Sequence, residues 1–157
     1  MATTLRHRVL RAGLRMVAPA ISERVESVAA QRRMVDSLSR VIRMPEGVSM
    51  SETELGGRPA RHIKPEHGGA EGHLLYLHGG AYVSGGLTSH TPLAALVAQA
   101  AGTEAWLLDY RLAPEHPYPA AREDALQAYK DLLDWGIEPG QIIIAGDSAG
   151  GGLTLST

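Results

Sequence analysis

The chain has 157 residues, of which 44% are hydrophobic, and it carries a formal net charge of −2. This length and composition fit a globular domain with its own core and exclude a disordered chain. The near-neutral charge gives no reason to expect a nucleic acid partner. Because cysteine is absent, disulfides, a thiolate nucleophile and zinc–thiolate sites are excluded. No apolar run approaches the roughly 20 residues of a membrane-spanning helix.

Residues 1–45 contain two amphipathic segments, which we expect to form N-terminal cap helices. The segment from Met1 to Ser22 is rich in arginine and has no acidic residue, a pattern found in mitochondrial transit peptides as well as in such helices. We favour the cap, and with it a cytoplasmic protein, and keep a mitochondrial location as the alternative. A second helix is predicted from Ser22, its N-cap, to about Met44, with Arg32 and Arg33 on its polar face.

Residues 46–157 alternate between predicted strands and helices. The strands are Val48–Leu55, Arg58–Lys64, His73–Leu77, Glu104–Leu108 and Ile142–Ala145. The first two form an antiparallel hairpin, and the later alternation with helices predicts a parallel sheet. One helix is predicted over Leu93–Ala101, with Ser89 or Thr91 as its cap and Pro92 near its first turn. The other runs from Pro119 to Trp135, with a buried stripe of Leu126, Tyr129, Leu132 and Leu133.

The last predicted strand runs into Gly146-Asp147-Ser148-Ala149-Gly150. A buried strand followed by Gly-x-Ser-x-Gly is typical of a nucleophile elbow, a tight turn that exposes a serine hydroxyl above the sheet. Ser148 is therefore the candidate nucleophile, and it requires a histidine base and a carboxylate. Asp147 points away from Ser148 by one residue, so we assign it a structural hydrogen-bonding role.

The strand His73–Leu77 runs into His78-Gly79-Gly80-Ala81-Tyr82. A His-Gly-Gly stretch in this place is typical of an oxyanion-hole loop, because small residues let backbone N–H groups turn toward one point. We expect N–H donors from Gly79, Gly80 and Ala81, with a further donor from Ala149. Tyr82 and Val83 are expected to line the substrate pocket, and His90 and His116 to lie in loops with solvent or loop contacts.

A third segment, Asp109 to Ala121, follows the strand Glu104–Leu108. With His78–Gly80 and Gly146–Gly150, it makes the chain resemble the hormone-sensitive-lipase-like family of α/β-hydrolase carboxylesterases, almost continuously from Leu74 onward. The resemblance implies the α/β-hydrolase fold and a structural role for His78 in holding the Gly-Gly loop. Asp109 and Arg111 are expected to hydrogen-bond and ion-pair within a loop that braces the oxyanion strand.

The resemblance also implies chains of about twice this length, so we interpret the sequence as the N-terminal half of an esterase, with 46–157 an incomplete hydrolase domain. The triad aspartate and histidine are then expected later in the protein. The predicted substrate is a small ester with a short to medium acyl chain, with no metal or organic cofactor. Homo-oligomerisation of the complete protein stays open. The alternatives are a non-catalytic, receptor-like ligand-binding protein of the same fold, or an inactive fragment.

Overall fold

The computed structural model describes residues 27–39, 42–67 and 72–157. The first element of this part of the chain is helix α1 (Val28–Ser39). The arginine-rich segment and the predicted Ser22 cap lie outside these described residues. Helix α1 falls within the second predicted amphipathic segment. The Ser27 hydroxyl accepts a hydrogen bond of 3.2 Å from the N–H of Ala30, which is an N-cap interaction.

Five strands form one mixed sheet. They are β1 (Val48–Leu55), β2 (Arg58–Pro65), β3 (His73–Leu77), β4 (Glu104–Leu108) and β5 (Ile142–Gly146). The strand order is β1-β2-β4-β3-β5, in which β2 is antiparallel to both neighbours and β3 is parallel to β4 and β5. The predicted strands, the N-terminal hairpin and the parallel arrangement are confirmed to within one residue at each boundary.

Among the described residues, each of the strands β3, β4 and β5 is followed by an α-helix: α2 (Leu87–Ala101), α3 (Ala120–Asp134) and α4 (Ala149–Ser156). A short 3-10 helix, Pro139–Gln141, precedes β5. The predicted start of α2 is wrong by six residues. Gly86 is its N-cap, with no side-chain cap hydrogen bond. The hydroxyls of Ser89 and Thr91 instead donate to carbonyls one turn earlier, so neither caps the helix. Pro92 consequently lies in the second turn rather than the first.

The sheet is covered by helices on both faces. Successive side chains of a strand point to opposite sides, so an apolar strand needs a packing partner on each face. Leu75 and Leu77 of β3 belong to one buried cluster, with residues of α3 and α4. Leu74 and Tyr76 belong to a second cluster on the other face, with alanines of α2. Since β3 and β5 are parallel neighbours, the loops after their carboxyl ends meet at one edge of the sheet.

The buried stripe of α3 differs from the prediction. Its buried residues are Ala120, Asp124, Ala125, Ala128 and Leu132. Of the four predicted positions, Leu132 alone is fully buried, and the other three are partly buried. Alanines at the contact allow the helix to approach the sheet closely, which moves the larger side chains to the margins of the interface.

One edge of the sheet is β5, which pairs with β3 on one side. Ile143 of this strand is 51% exposed, and Leu155 of α4 is 91% exposed. Across residues 27–39, 42–67 and 72–157, none of the helices has the length and hydropathy needed to span a bilayer.

Candidate active site

Ser148 occupies the sharp turn between β5 and α4. Its backbone has φ 51° and ψ −116°, a conformation that residues with a side chain rarely adopt. A Cβ on Gly150 would lie 2.7 Å from the carbonyl oxygen of His78, and one on Gly146 would lie 2.6 Å from the carbonyl carbon of Gly150. A side chain is therefore excluded at position 146 and at position 150, two residues before and after the serine. Ser148 itself is exposed, as in the backbone geometry of a nucleophile elbow.

The loop after β3 folds tightly back on itself. Gly80, Ala81 and Tyr82 have successive positive φ angles of 123°, 56° and 61°. The N–H groups of Val83 and Ser84 both donate to the Gly80 carbonyl at 3.0 Å, and the Ser84 hydroxyl donates to the same oxygen. Two consecutive non-glycine residues in the left-handed region are strained, so surrounding contacts must hold the loop in this shape.

The backbone N–H groups of Gly80, Ala81 and Ala149 are not among the hydrogen-bond donors of the loops in the described part of the chain. Ala149 is the first residue of α4, where an N–H is left unpaired and the helix dipole favours negative charge. The predicted fourth donor, Gly79, is wrong. Its N–H donates to Asp147 Oδ1 at 3.0 Å and is not available to a ligand.

Asp147 links the elbow after β5 to the loop after β3 through hydrogen bonds. Its Oδ1 accepts hydrogen bonds from the Gly79 N–H and, at 3.1 Å, from the Tyr76 hydroxyl. Burial and the neighbouring Asp147 carboxylate raise the pKa of the Tyr76 phenol, which therefore remains a donor. The Asp147 Oδ2 lies 3.8 Å from His90 Nε2. The expected solvent or loop position of His90 is wrong, since it lies in α2 with its side chain 12% exposed.

His78 is fully buried beneath the loop that follows it. Its Nδ1 lies 2.8 Å from the carbonyl oxygen of Gly79, and because a carbonyl only accepts, Nδ1 carries the proton. The ring stacks on Tyr110 at a centroid distance of 4.1 Å, and the Tyr110 hydroxyl donates to the His78 carbonyl. Burial lowers the pKa of His78 to about 4. The neutral ring thus supports the loop.

The expected ion pairing of Asp109 and Arg111 within their own loop is wrong. Arg111 reaches helix α3 instead, where its Nε and one terminal nitrogen donate to Asp124 at 2.9 and 2.7 Å. Asp109 acts through its backbone, donating its N–H to the Pro59 carbonyl at 2.9 Å. Its side chain is partly buried, and this burial raises the pKa of the carboxyl. The loop is therefore anchored to α3 and to β2.

A cavity of about 380 Å³ lies next to the elbow, between Tyr82, the loop after β4 and the side of α4 formed by Gly152, Leu153 and Ser156. Ser148 does not line this cavity, which begins one turn further along α4. Tyr82 lines this cavity, and its role in substrate binding stays a prediction. Val83 is not among the lining residues, and its carbonyl faces Arg32 of α1.

Arg32 is the contact that sequence reasoning missed. It lies on the predicted polar face of α1, where a solvated arginine is unremarkable. In the structure its guanidinium donates to the carbonyls of Val83 and Ala113 at 2.8 and 3.2 Å and to Glu115 at 2.9 and 2.7 Å. No spacing in the sequence connects residue 32 with these loops, which lie 51 to 83 residues away.

The fold and the site define an α/β hydrolase. A strained serine lies between β5 and α4 of an α/β sheet, and the loop after β3 has backbone N–H groups that are not used within the loop. The chain belongs to the α/β-hydrolase fold family, whose profile matches residues 74–157. The predicted fold class and the resemblance to the hormone-sensitive-lipase-like branch of the family are both confirmed.

The relatives are esterases. The chain is 41% identical over 152 residues to a putative acetyl-hydrolase, LipR, of Mycobacterium tuberculosis, covering 97% of this chain and 49% of that protein. It is 34% identical to the crystal structure of an esterase from the bacterial hormone-sensitive lipase family, with a TM-score of 0.82 over 98% of this chain and 51% of the other. The esterase EstE5, soaked with p-nitrophenyl butyrate, is 38% identical, with a TM-score of 0.76 over 81% and 42% of the two chains. The chain thus spans about half the length of the relatives it matches.

Proposed function

We propose that the protein containing this chain is a serine carboxylic-ester hydrolase that works through an acyl-enzyme intermediate. The observation that carries the proposal is the strained conformation of Ser148 at the elbow, with φ 51°. Such strain persists at functional sites, where the surrounding structure holds it. Here β3 and the two flanking glycines hold it, and the serine they present is exposed.

In the proposed reaction, Ser148 Oγ attacks the ester carbonyl carbon while a histidine removes the hydroxyl proton. The carbonyl oxygen becomes negatively charged, and the C–O bond to the alcohol then breaks as the histidine returns the proton to the leaving group. Water attacks the acyl-serine by the same route and releases the acid. The N–H groups of Gly80, Ala81 and Ala149 stabilise the oxyanion, each by roughly 3–4 kcal/mol.

The histidine base and its carboxylate partner belong, in this proposal, to the part of the complete protein outside the 157 residues. His78 is unsuited to the task because it is fully buried beneath its loop, and this burial lowers its pKa to about 4. His90 is occupied with Ser89, at 2.8 Å, and lies near Asp147. Residues 1–45 serve as the cap, a role supported by the contact of Arg32 with the loops after β3 and β4.

The proposed substrates are small esters with short to medium acyl chains. Two observations support this choice: the name acetyl-hydrolase carried by a relative that is 41% identical, and the use of p-nitrophenyl butyrate on a related esterase. The cavity beside Tyr82, at about 380 Å³, has room for a small acyl or alcohol group.

The test is hydrolysis of p-nitrophenyl acetate and butyrate by the complete protein and its Ser148→Ala variant. We expect Ser148→Ala to reduce kcat to near the uncatalysed rate, because triad members act as a unit. Ser51→Ala, an exposed serine on β1, is the matched control and is expected to keep full activity. The 157-residue chain alone is expected to hydrolyse neither ester faster than its own Ser148→Ala variant. Full turnover by Ser148→Ala in the complete protein would overturn the proposal.

A further inference from the structure

The guanidinium of Arg32 joins the cap helix to the loop that carries the oxyanion donors. We propose that Arg32 is a positioning residue for the ester hydrolysis described above: from α1, it holds the peptide units that aim the Gly80 and Ala81 N–H groups at the oxyanion. This inference rests on the proposed function and adds to it that the site requires the N-terminal helix for its geometry.

Arg32 binds three acceptors on two separate loops. Its Nε donates to the Val83 carbonyl at 2.8 Å, and one terminal nitrogen donates to the Ala113 carbonyl at 3.2 Å. The two terminal nitrogens also bind the two oxygens of Glu115, at 2.9 and 2.7 Å. One planar group thus fixes the end of the oxyanion loop and the middle of the loop after β4.

These contacts reinforce a direct link between the same loops. The N–H of Ala113 donates to the Tyr82 carbonyl at 2.8 Å, one residue before the carbonyl that Arg32 binds. The carbonyls of Tyr82 and Val83 therefore both accept hydrogen bonds from outside their own loop. These bonds matter because Ala81 and Tyr82 have φ of 56° and 61°, and without the bonds their backbones would relax toward negative φ. Relaxation would rotate the Ala81 and Gly80 peptide planes away from Ser148.

Only an arginine has the donor geometry for this arrangement. Guanidinium presents its N–H groups in one rigid plane, which allows two carbonyls and a bidentate carboxylate to be bound together. Lysine concentrates its charge at one atom and reaches one or two of the acceptors at a time. The ion pair itself is an ordinary surface pair, since the Arg32 and Glu115 side chains are 35% and 54% exposed. Such pairs contribute little to stability, so the effect of Arg32 lies in the orientation of the loops.

The predicted consequence is a loss in catalysis with little loss in folding or substrate binding. Misplacement of catalytic donors by about 1 Å costs on the order of 10²-fold in rate. We therefore expect Arg32→Gln to lower kcat by roughly 10- to 100-fold, since loss of the clamp loosens donors without removing them. Arg32→Lys is expected to lose nearly as much.

The experiment uses the complete protein and the variants Arg32→Gln, Arg32→Lys and Glu115→Gln. Arg33→Gln is the matched control, because Arg33 is an exposed neighbour on α1 with no side-chain contact to either loop among the described residues. For each protein, kcat and KM are measured with p-nitrophenyl butyrate, and the inhibition constant with an alkyl trifluoromethyl ketone. This ketone forms a hemiketal oxyanion with the active serine and so reports on the oxyanion donors. Thermal melting checks folding.

We expect kcat to fall and the inhibition constant to rise by the same factor across the Arg32 variants, with KM unchanged within about threefold. Glu115→Gln is expected to show a smaller effect in the same direction. A merely structural role would reduce the folded fraction, which lowers apparent kcat but leaves the inhibition constant unchanged, and that result would overturn the inference. Equal kcat in Arg32→Gln and Arg33→Gln would also overturn it while leaving the proposed function intact. Absence of Ser148-dependent turnover in the unsubstituted protein would instead overturn the proposed function, and the inference with it.

Discussion

Replacing Gly150 with alanine should damage both the fold and the activity, although alanine is the better helix former. Gly150 is the second residue of α4, and glycine in a helix is less favourable than alanine by about 0.5–1 kcal/mol. The added Cβ, however, would lie 2.7 Å from the carbonyl carbon of Leu77 and from the carbonyl oxygen of His78, and closer still to the Leu77 oxygen. These are backbone atoms of the last residue of β3 and of the residue after it, which no side-chain rotation can move aside.

Relief of this overlap requires α4 and β3 to separate by roughly 1 Å, since carbon atoms pack at 3.5–4.0 Å. Overpacking of this kind costs about 1–3 kcal/mol in the free energy of unfolding. The shift also separates Ser148 from the loop that begins at Gly79, so we expect kcat to fall on the order of 10²-fold.

The assay is urea denaturation together with p-nitrophenyl butyrate hydrolysis, both on the complete protein. Gly152→Ala is the control for stability, because its Cβ would meet the hydroxyl of the flexible Tyr82 side chain at 3.2 Å and no other group as close. Gly152→Ala is expected to preserve or raise the free energy of unfolding. If Gly150→Ala were as stable and as active as the unsubstituted protein, the close crossing of β3 and α4 would have to be abandoned.

Three further predictions concern the same region. Gly80→Val is expected to lower kcat roughly 10²-fold with KM little changed, because Gly80 has φ 123° and its Cβ would lie 2.6 Å from the Ser84 carbonyl carbon; normal steady-state kinetics would contradict this. Burial lowers the pKa of His78 to about 4, so the unfolded state binds more protons between pH 6.5 and 4. The free energy of unfolding should therefore fall as pH drops through this window, by on the order of 3 kcal/mol more than in the control variant His78→Asn. Asparagine is chosen because its amide keeps a donor for the Gly79 carbonyl. Parallel pH profiles of the two proteins would refute the assignment. Among the described residues β5 is an edge strand, and its Ile143 is 51% exposed. The 157-residue chain alone is therefore expected to self-associate through this edge, and a monodisperse monomer by size-exclusion chromatography would contradict this.

The strands and the elbow could be predicted because their causes are local. A run such as Ile142–Ala145 followed by Gly-x-Ser-x-Gly determines both the strand and the turn, and all five strands were found at their observed places. The start of α2 was missed because the hydroxyls of Ser89 and Thr91 bond backward within the helix, a choice that sequence does not distinguish from capping.

The partners of side chains across the fold could not be predicted. The assignment of Gly79 as an oxyanion donor failed because its N–H meets Asp147, a contact between residues 68 positions apart. Arg111 was expected to bond within its loop but faces Asp124 of α3. The contacts of Arg32 could not be predicted for the same reason. The sequence of a polar helix face is the same whether its side chains contact water or a backbone carbonyl.

The central claim is that Ser148 is the activated nucleophile of the protein, and covalent labelling tests it most directly. The complete protein is treated with a fluorophosphonate probe, digested and analysed by mass spectrometry, with the heat-denatured protein and Ser148→Ala as controls. We predict that the probe modifies the native protein at Ser148 alone and modifies neither control, because labelling requires the folded elbow and its oxyanion donors. Stoichiometric labelling at another serine, or unchanged labelling of Ser148→Ala, would contradict the account.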